Sequence, residues 1–244
     1  MKIISVKGFE FHFTPNRWMV LLTLMVLFIF CKLGAWQLHR AEEKRIIVAH
    51  VAHYAAKAPR AWQPTDNLPN PYEKIRVSGH FTTDLFFLDN QHHHHQLGYH
   101  VISPLVLTNQ HVIMVDRGWV KAMPSRELLP SISTPTQTIF LSGEAYYPSK
   151  NQWVLGQSIE KKHAHTTIVE LINVKLFSIF LHKDVYPFII RLDNQSAHGF
   201  RREWARINMP PQRHEGYAFQ WFMMAFTVLI LFITLNTNIK KANE

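Results

Sequence analysis

The sequence has very little cysteine: Cys31 is the single thiol among its 244 residues. One cysteine cannot form an intrachain disulfide, so a small fold held together by disulfides is excluded. The segment from 39 to 216 contains no cysteine at all. That composition is compatible with an oxidising compartment and equally with a reducing one.

Catalytic signatures are also missing. The chain has no G-x-S-x-G, no H-E-x-x-H, no P-loop and no G-x-G-x-x-G motif. Asp116 beside Arg117 could form a catalytic acid next to a cation. We expect instead that the pair closes the end of a strand, with Gly118 in a bulge and Trp119 packed. The sequence therefore favours a protein that is not an enzyme.

Acidic residues are few compared with basic ones: 17 against 26, for a net charge of +9. The basic residues are scattered along the chain, and no signature of nucleic-acid binding accompanies them. We expect no nucleic-acid partner. A basic protein of this kind is more compatible with anionic membrane lipids or an acidic protein partner.

Two long apolar stretches stand against this polar background. Residues 18–38 carry one charge, Lys32, near their far end, and residues 217–235 carry none. About 20 apolar residues in a helix cross a bilayer core of roughly 30 Å, and a lysine near the end can extend its amine to the interface. The sequence therefore predicts two transmembrane helices, with helix formers at 41–58 extending the first beyond the membrane.

A cleaved signal peptide is the alternative for the first stretch. We favour a retained anchor, because the apolar run exceeds a signal h-region and no small-x-small cleavage site follows it. Basic residues then set the orientation. They lie in the tails at 1–17 and 236–244, which predicts that both tails are cytoplasmic and that residues 39–216 form an extracytoplasmic domain.

The middle section has the pattern of a β-rich domain. Its apolar or alternating stretches are separated by turn residues, which predicts strands. A three-residue gap between two of them predicts a hairpin, and apolar residues at helical spacing predict one helix at 167–182. We expect an α+β membrane protein, with an antiparallel sheet or barrel and one or two covering helices. The predicted strands are 73–81, 85–90, 99–107, 111–120, 138–147 and 187–194.

A run of four histidines, His92 to His95, is the most conspicuous polar feature of this section. Converging imidazoles bind Ni, Cu or Zn ions. The flanking residues are polar, as in a solvated loop between strands. Both interpretations stay open, with the solvated loop favoured.

A second group of residues lies where the two predicted spans reach the same membrane surface. His214, Tyr217 and Trp221 occupy one face of the second helix together with Ala218, and Trp36 and Arg40 are one turn apart on the first. Tryptophans at this level usually form an aromatic belt. Haem, however, takes an imidazole as axial ligand and pairs its propionates with guanidinium groups. Both interpretations stay open on the residue types alone, with the aromatic belt favoured.

Four stretches, taken in order, resemble the SURF1 family of cytochrome c oxidase assembly factors. They are LGAWQLHR (33–40), GYHVISPL (98–105), VDRGWV (115–120) and HEGYAFQWF (214–222). The resemblance covers nearly the whole chain, including its layout with two spans. It implies a protein of the bacterial inner membrane, with its main domain in the periplasm, that helps build haem–copper oxidase.

The resemblance also implies a ligand and partners. Bacterial members handle haem a, and the histidine before the second span, here His214, would bind its iron. Trp221 and Trp36 would flank the ring, Tyr217 would belong to the same cofactor site, and Arg40 would pair with a propionate. The expected partners are subunit I of cytochrome c oxidase, haem a synthase and membrane lipids. Two alternatives stay open: a structural scaffold that binds no haem, and a metal-delivery or metal-sensing protein built on the His92–His95 loop.

Overall fold

A computed structural model describes residues 2–6, 9–125, 128–149, 159–163, 165–204 and 209–241. The chain divides into two compact units, one formed by 1–49 together with 207–244 and the other by 50–206. The described residues form three helices and twelve strands. In chain order these are β1 (Lys2–Val6), β2 (Phe9–Phe13), α1 (Arg17–Ala55), β3 (Arg60–Ala61), β4 (Lys74–Phe81), β5 (Leu85–His93), β6 (Gln96–Val106), β7 (Val112–Lys121), β8 (Ile139–Tyr146), β9 (Ile159–His163), β10 (Thr166–Val169), α2 (Val174–Leu181), β11 (Val185–Leu192), α3 (Pro211–Leu235) and β12 (Thr237–Lys241).

The first unit contains two helices that are long and apolar enough to cross a membrane. They are α1, near the N-terminus, and α3, near the C-terminus, and the predicted spans 18–38 and 217–235 lie inside them. Few residues of either helix are buried within the protein. Most of their apolar surface therefore needs an apolar environment outside the chain. The expected extension of the first helix is present, since α1 continues to Ala55.

The two tails pair with each other in a small sheet of order β1-β2-β12. Strand β12 lies antiparallel to β2, with Thr237 opposite Phe13. The Thr14 amide donates a hydrogen bond of 3.0 Å to the Asn236 carbonyl. This sheet was not predicted, although Phe9–Phe13 alternates apolar and polar residues as a strand does. The strand β12 that pairs with it lies at the other end of the sequence. The sheet brings the two ends of the chain together.

The second unit contains a nine-stranded sheet of order β3-β4-β8-β11-β7-β6-β5-β10-β9. Strand β4 also pairs with β6, with His80 opposite Val106 and Phe81 opposite Leu105. This extra pairing closes β4, β8, β11, β7 and β6 into a five-stranded barrel. Strands β5, β10 and β9 continue the sheet beyond the barrel.

All six predicted strands are confirmed with small shifts at their ends, as is the β6–β7 hairpin, in which Val106 lies opposite Val112. The expected antiparallel pairing is found for most neighbouring strands but not for all of them. Strands β11 and β10 lie parallel to β7 and β5, and the short β3 lies parallel to β4. Parallel neighbours are joined through distant parts of the chain, so local sequence patterns do not reveal them.

The predicted helix at 167–182 was half wrong. Its first residues belong to strand β10 (Thr166–Val169), and the helix begins only at Val174. The β-branched Thr-Thr-Ile-Val run favours an extended backbone. Asn173 then starts the helix, because its side chain accepts hydrogen bonds from the backbone amides of Lys175 and Leu176.

Three apolar clusters stabilise this unit. The smallest is formed by side chains of β5, β6 and β10, and the other two are larger. One fills the barrel with inward-facing side chains from its strands, including Ile75, Ile113 and Phe188, which are fully buried. The other lies between the sheet and helix α2, where Phe177 packs against Phe86 at a ring separation of 4.9 Å. The helix thus covers one outer face of the sheet, as expected for an α+β domain.

The Asp116–Trp119 segment lies inside strand β7 rather than at a strand end, which corrects that expectation. The bulge is confirmed: Gly118 has a φ of +108°, and the pairing of β6 with β7 shifts register here. A positive φ of this kind favours glycine. Trp119 is packed as expected, with 5% of its surface exposed.

Candidate functional site

Small residues let the two long helices of the first unit approach closely. Gly34 and Ala41 of α1 and Ala218 of α3 are buried. A Cβ atom added at Gly34 would lie 2.7 Å from Cζ of Phe222. Close contact over glycine and alanine is the usual way in which membrane helices pack.

His214 lies in the first turn of α3, which begins with Pro211 at a position where a proline fits without loss of a hydrogen bond. The residue is buried, with 8% of its surface exposed. Its Nδ1 atom lies 2.8 Å from Oε1 of Gln37 on α1. Its Nε2 atom is buried and has no hydrogen-bond partner among the described residues.

This contact defines the chemistry of the imidazole. When the Nδ1–H group donates to the Gln37 amide oxygen, the lone pair on Nε2 remains free. Metal-binding histidines commonly donate their other ring N–H to a fixed acceptor in this way, which sets the tautomer and the ring orientation. Gln37 was not predicted to belong to the site, although it lies within the stretch 33–40 next to Trp36.

The predicted helical face of α3 divides into buried and exposed parts. Ala218 is 1% exposed and lies with His214 against α1, whereas Tyr217 is 44% exposed. Trp221 contacts Phe30 of α1 at a ring-centroid distance of 5.6 Å. The structure therefore brings His214 and Trp221 to α1 and leaves Tyr217 outside this contact.

The predicted residues of α1 lie away from its buried stripe. Trp36 is 54% exposed. The Arg40 guanidinium forms an ion pair with Glu43 one turn along the same helix. Both side chains are open to the surroundings, but neither touches His214 in the described structure.

A second contact joins the helices next to the histidine. Arg45 Nη2 of α1 lies 2.5 Å from the carboxylate of Glu215, the residue that follows His214. Arg45 also contacts Glu42 at 3.0 Å. These groups are exposed, so the ion pairs contribute little stability.

The second unit contains a row of charged residues that the sequence did not reveal. Across β4, β8, β11 and β7, Lys74 lies opposite Glu144, Glu144 opposite Arg191, and Arg191 opposite Asp116. Asp116 then accepts a hydrogen bond of 2.9 Å from Nδ1 of His100 on β6. The charges alternate in sign along the row, which favours this strand pairing.

Arg117 is buried next to Asp116, and each residue has 2% of its surface exposed. Its guanidinium donates to the carbonyl oxygens of His198 and Ser133 and to the hydroxyls of Ser103 and Thr134, at 2.8–3.3 Å. Burial lowers its pKa to about 10, so it stays charged at neutral pH. Asp116 and Arg117 are thus bound to partners within the domain.

These contacts show that two of the four stretches that resemble the SURF1 family form one structural unit. GYHVISPL lies in β6 and VDRGWV in β7, and the two strands are paired. His100 binds Asp116, and Ser103 binds Arg117. The polar residues of the stretches therefore hold the barrel together.

The donor set near His214 fits a haem iron in chemical type but is closed in this conformation. The imidazole has the free Nε2 lone pair that iron requires. That atom exposes less than 1 Å² of surface, so a ligand reaches it only if neighbouring side chains move. Trp36 and Tyr217 are exposed on the same two helices and offer flat apolar surface.

Similar proteins were found in bacteria. The chain is 24% identical over 238 residues to a SURF1-like protein of Rickettsia felis, an alignment that covers 90% of this chain and 97% of the relative. A SURF1-like protein of Rickettsia bellii is 25% identical over 225 residues, covering 87% of each chain. A third, from Rickettsia conorii, is 23% identical over 229 residues, covering 89% of this chain and 90% of the relative.

The sequence profile of the SURF1 family matches residues 24–226. This range includes most of α1, the whole described barrel and the first part of α3, so the match covers both units. The family comprises assembly factors and is not known as an enzyme family. The chain therefore belongs to the SURF1 family, and this membership implies a role in cytochrome oxidase assembly.

Proposed function

We propose that this protein holds haem a during assembly of haem–copper cytochrome c oxidase and assists its insertion into subunit I. The observation that carries the proposal is the state of His214: a buried imidazole oriented by Gln37, with a free Nε2 lone pair. A buried polar atom without a partner is unfavourable, and such atoms often mark functional sites. Family membership supplies the oxidase context.

Because Nε2 is buried, the contact between the two helices acts as a gate that controls the binding of haem. The imidazole lies between α1 and α3, so iron gains access when the helices separate at the level of Gln37 and Ala218. Breaking a hydrogen bond between membrane helices, such as the one from His214 to Gln37, requires a free energy on the order of 1–2 kcal/mol. A gate of that size makes binding reversible, which suits a cargo that must be passed on.

The remaining predicted residues have distinct roles in this proposal. Trp36 and Tyr217, both exposed, flank the macrocycle with aromatic surface, and Trp221 supports the helix contact through Phe30. When haem is present, the Arg40 guanidinium leaves the Glu43 carboxylate and pairs with a propionate. That exchange is easy because both groups are exposed and their pairing is weak.

The cellular setting follows from the two apolar helices. We infer a bacterial inner-membrane protein with both tails in the cytoplasm and the barrel domain in the periplasm. Antiparallel helices fit this orientation: residue numbers rise along α1 from Phe30 to Gln37 while they fall along α3 from Trp221 to His214. The domain docks subunit I, haem a synthase supplies the cargo, and anionic lipids contact the basic tails.

An optical spectrum tests the proposal directly. The full-length protein, purified in detergent from cells that synthesise haem a, should show a haem a band that His214→Ala removes. Gln37→Leu should weaken the band, because the Nδ1–H group loses its acceptor and the ring its orientation. His39→Ala is the matched control, since His39 is an exposed histidine on α1, the helix that carries Gln37. The haem a band of this variant should persist.

A second function is favoured by the closed position of Nε2. If the helices never separate, the protein acts as a scaffold that positions oxidase subunits without binding haem. The same spectra and the amount of assembled oxidase distinguish the two functions. A wild type without haem, together with normal oxidase levels in His214→Ala cells, would establish the scaffold and overturn haem custody.

A further inference from the structure

The histidine run lies in a tight hairpin. His92 and His93 belong to strand β5, and His93 pairs with Gln96 at the start of β6. His94 and His95 are therefore the two turn residues, with φ angles of 46° and 62°. Two-residue hairpin turns with positive φ usually contain Asn-Gly or Asp-Gly. Histidine at both positions is unfavourable for the backbone, and backbone strain of this kind often marks a functional site.

Three side chains converge beside this turn. His93, His94 and Glu203 each place a ligand atom within 4.8 Å of the others. Nδ1 of His93 lies 3.8 Å from one carboxylate oxygen of Glu203, and Nε2 of His94 lies 3.9 Å from the other. These distances are too long for hydrogen bonds. They fit, after shifts of a few tenths of an ångström, pairs of ligand atoms that are each about 2.0–2.2 Å from a shared ion.

The first ligand is already held in place. The His93 side chain is 12% exposed. Its ring lies 5.1 Å from the ring of Trp119 and 4.3 Å from that of His94. Trp119 in turn donates its indole N–H to the Gln91 carbonyl at 2.9 Å, which fixes strand β5 against β7.

The carboxylate comes from a segment that is fixed on both sides. Arg201 forms an isolated bridge with Trp119, so the same tryptophan supports both ligand-bearing segments. The Arg202 guanidinium donates to the carbonyl oxygens of Asn194 and Ser196. On the other side of Glu203, the Trp204 indole N–H donates to the Leu192 carbonyl at 3.1 Å. Glu203 is thus presented by an anchored backbone, although its side chain is exposed.

We propose that His93, His94 and Glu203 bind a divalent transition-metal ion of the Zn²⁺ class. Two imidazoles and one carboxylate are ligands that Zn²⁺ accepts, leaving a fourth position for water or a partner group. Cu²⁺ binds the same ligands more tightly, in line with the general order of divalent affinities. The ion connects the β5–β6 hairpin to residues 201–204. This site is separate from His214 and goes beyond the proposed handling of haem.

The full-length protein, made without a polyhistidine tag and stripped of metal, is titrated with Zn²⁺ by calorimetry in detergent. We expect binding of one equivalent. Glu203→Gln and His94→Asn should each weaken it at least tenfold, because loss of a ligand exceeds the roughly 10–100-fold effect of losing an outer partner. His95→Asn is the matched control: His95 is adjacent and exposed but is not one of the three converging residues, and its affinity should stay unchanged.

Substitution by Co²⁺ gives a second readout, because its visible bands report tetrahedral coordination. Unfolding of the variants is excluded by their circular dichroism. The proposal is overturned if no single-equivalent binding is found, or if Glu203→Gln binds as the wild type does. It is also overturned if His95→Asn weakens binding as much as His94→Asn, since the histidine run would then bind without the carboxylate.

Discussion

Glu73 holds the proline-rich loop that follows α1 through both of its carboxylate oxygens. One accepts a hydrogen bond of 2.7 Å from Nε of Arg60, and the other accepts one of 2.8 Å from the Asn70 amide. Burial by itself raises the pKa of this carboxyl group. The hydrogen bonds and the charge of Arg60 outweigh that effect and leave the pKa below its ordinary value of 4.5.

A lowered pKa in the folded protein makes stability depend on pH in a defined direction. The ionised Glu73 contributes stability well above pH 4.5, and this contribution disappears as the pH falls through the lowered pKa. Glu73→Gln should therefore reduce the free energy of unfolding by about 1 kcal/mol at pH 7, and the two proteins should converge in acid. Urea unfolding of the full chain in detergent, followed by circular dichroism from pH 3 to 7, measures this.

Glu170→Gln serves as the control for that series, because Glu170 is exposed. Its unfolding curve should follow the wild type at every pH. A constant difference between Glu73→Gln and the wild type down to pH 3 would show that the ionised form is not the stabilising one.

At this scale the sequence identified His214 as a candidate ligand but did not identify Gln37 as its partner. The reason is physical. Helices α1 and α3 are apolar on nearly all sides, so no polar face reveals which residues pack together. Trp36 and Arg40 were predicted from their side-chain chemistry. The residues of α1 that pack against α3 are instead Gly34, Gln37 and Ala41.

At the scale of the element, strands were easier to predict than the helix of the second unit. Strand β4 alternates buried and exposed residues along Lys74–Phe81, which is the pattern that identifies a half-buried strand. In α2, by contrast, Ile179 is 69% exposed although its spacing predicted a buried face. The short apolar run 167–182 fits both periods, and only the cap at Asn173 separates strand from helix.

The contact between α1 and α3 depends on Gly34, and this can be tested. Gly34→Leu should push the helices apart, because even a Cβ atom there meets the Phe222 ring at 2.7 Å. In a Cys31→Ser background, Phe30→Cys and Trp221→Cys should react with a short bis-maleimide, since the native rings are 5.6 Å apart. Gly34→Leu should reduce the cross-linked fraction about fivefold, equivalent to about 1 kcal/mol of helix packing.

The chain offers a matched control for this experiment. A Cβ atom added at Gly216 meets nothing within 4 Å, so Gly216→Leu should leave cross-linking unchanged. Equal cross-linking in both leucine variants would show that Gly34 does not set the distance between the helices.

At the scale of the whole molecule, the β-rich class and the two apolar helices were predictable, but the order of the strands was not. Closure of the barrel depends on the pairing of β4 with β6 and on the insertion of β11 between β8 and β7. These contacts join segments far apart in the sequence, and residue patterns carry no local signal for them. The five-stranded closure therefore emerged only from the structure.

The orientation in the membrane is the prediction that belongs to this scale. With Cys31 replaced by serine, Glu170→Cys places one thiol on the exposed surface of the barrel domain, and Asn238→Cys places one in the C-terminal tail. In cells with a permeabilised outer membrane, an impermeant maleimide should label residue 170. Residue 238 should react only after the inner membrane is broken, because basic tails stay in the cytoplasm.

Labelling of residue 238 in unbroken cells would contradict the proposed orientation. The tail sheet adds a further condition, since β2 and β12 are paired. A thiol introduced at either tail should therefore show the same accessibility as the other.

The position of β11 also determines when the domain can finish folding. Strands β7 and β8 end at residues 121 and 146, but they do not pair with each other. Strand β11, which ends at residue 192, lies between them and pairs with both. The 46 residues from 146 to 192 take roughly 2–9 s to synthesise at about 5–20 residues per second. During this interval the nascent barrel exposes two unpaired inner edges and its apolar interior, so its biogenesis depends on protection from aggregation.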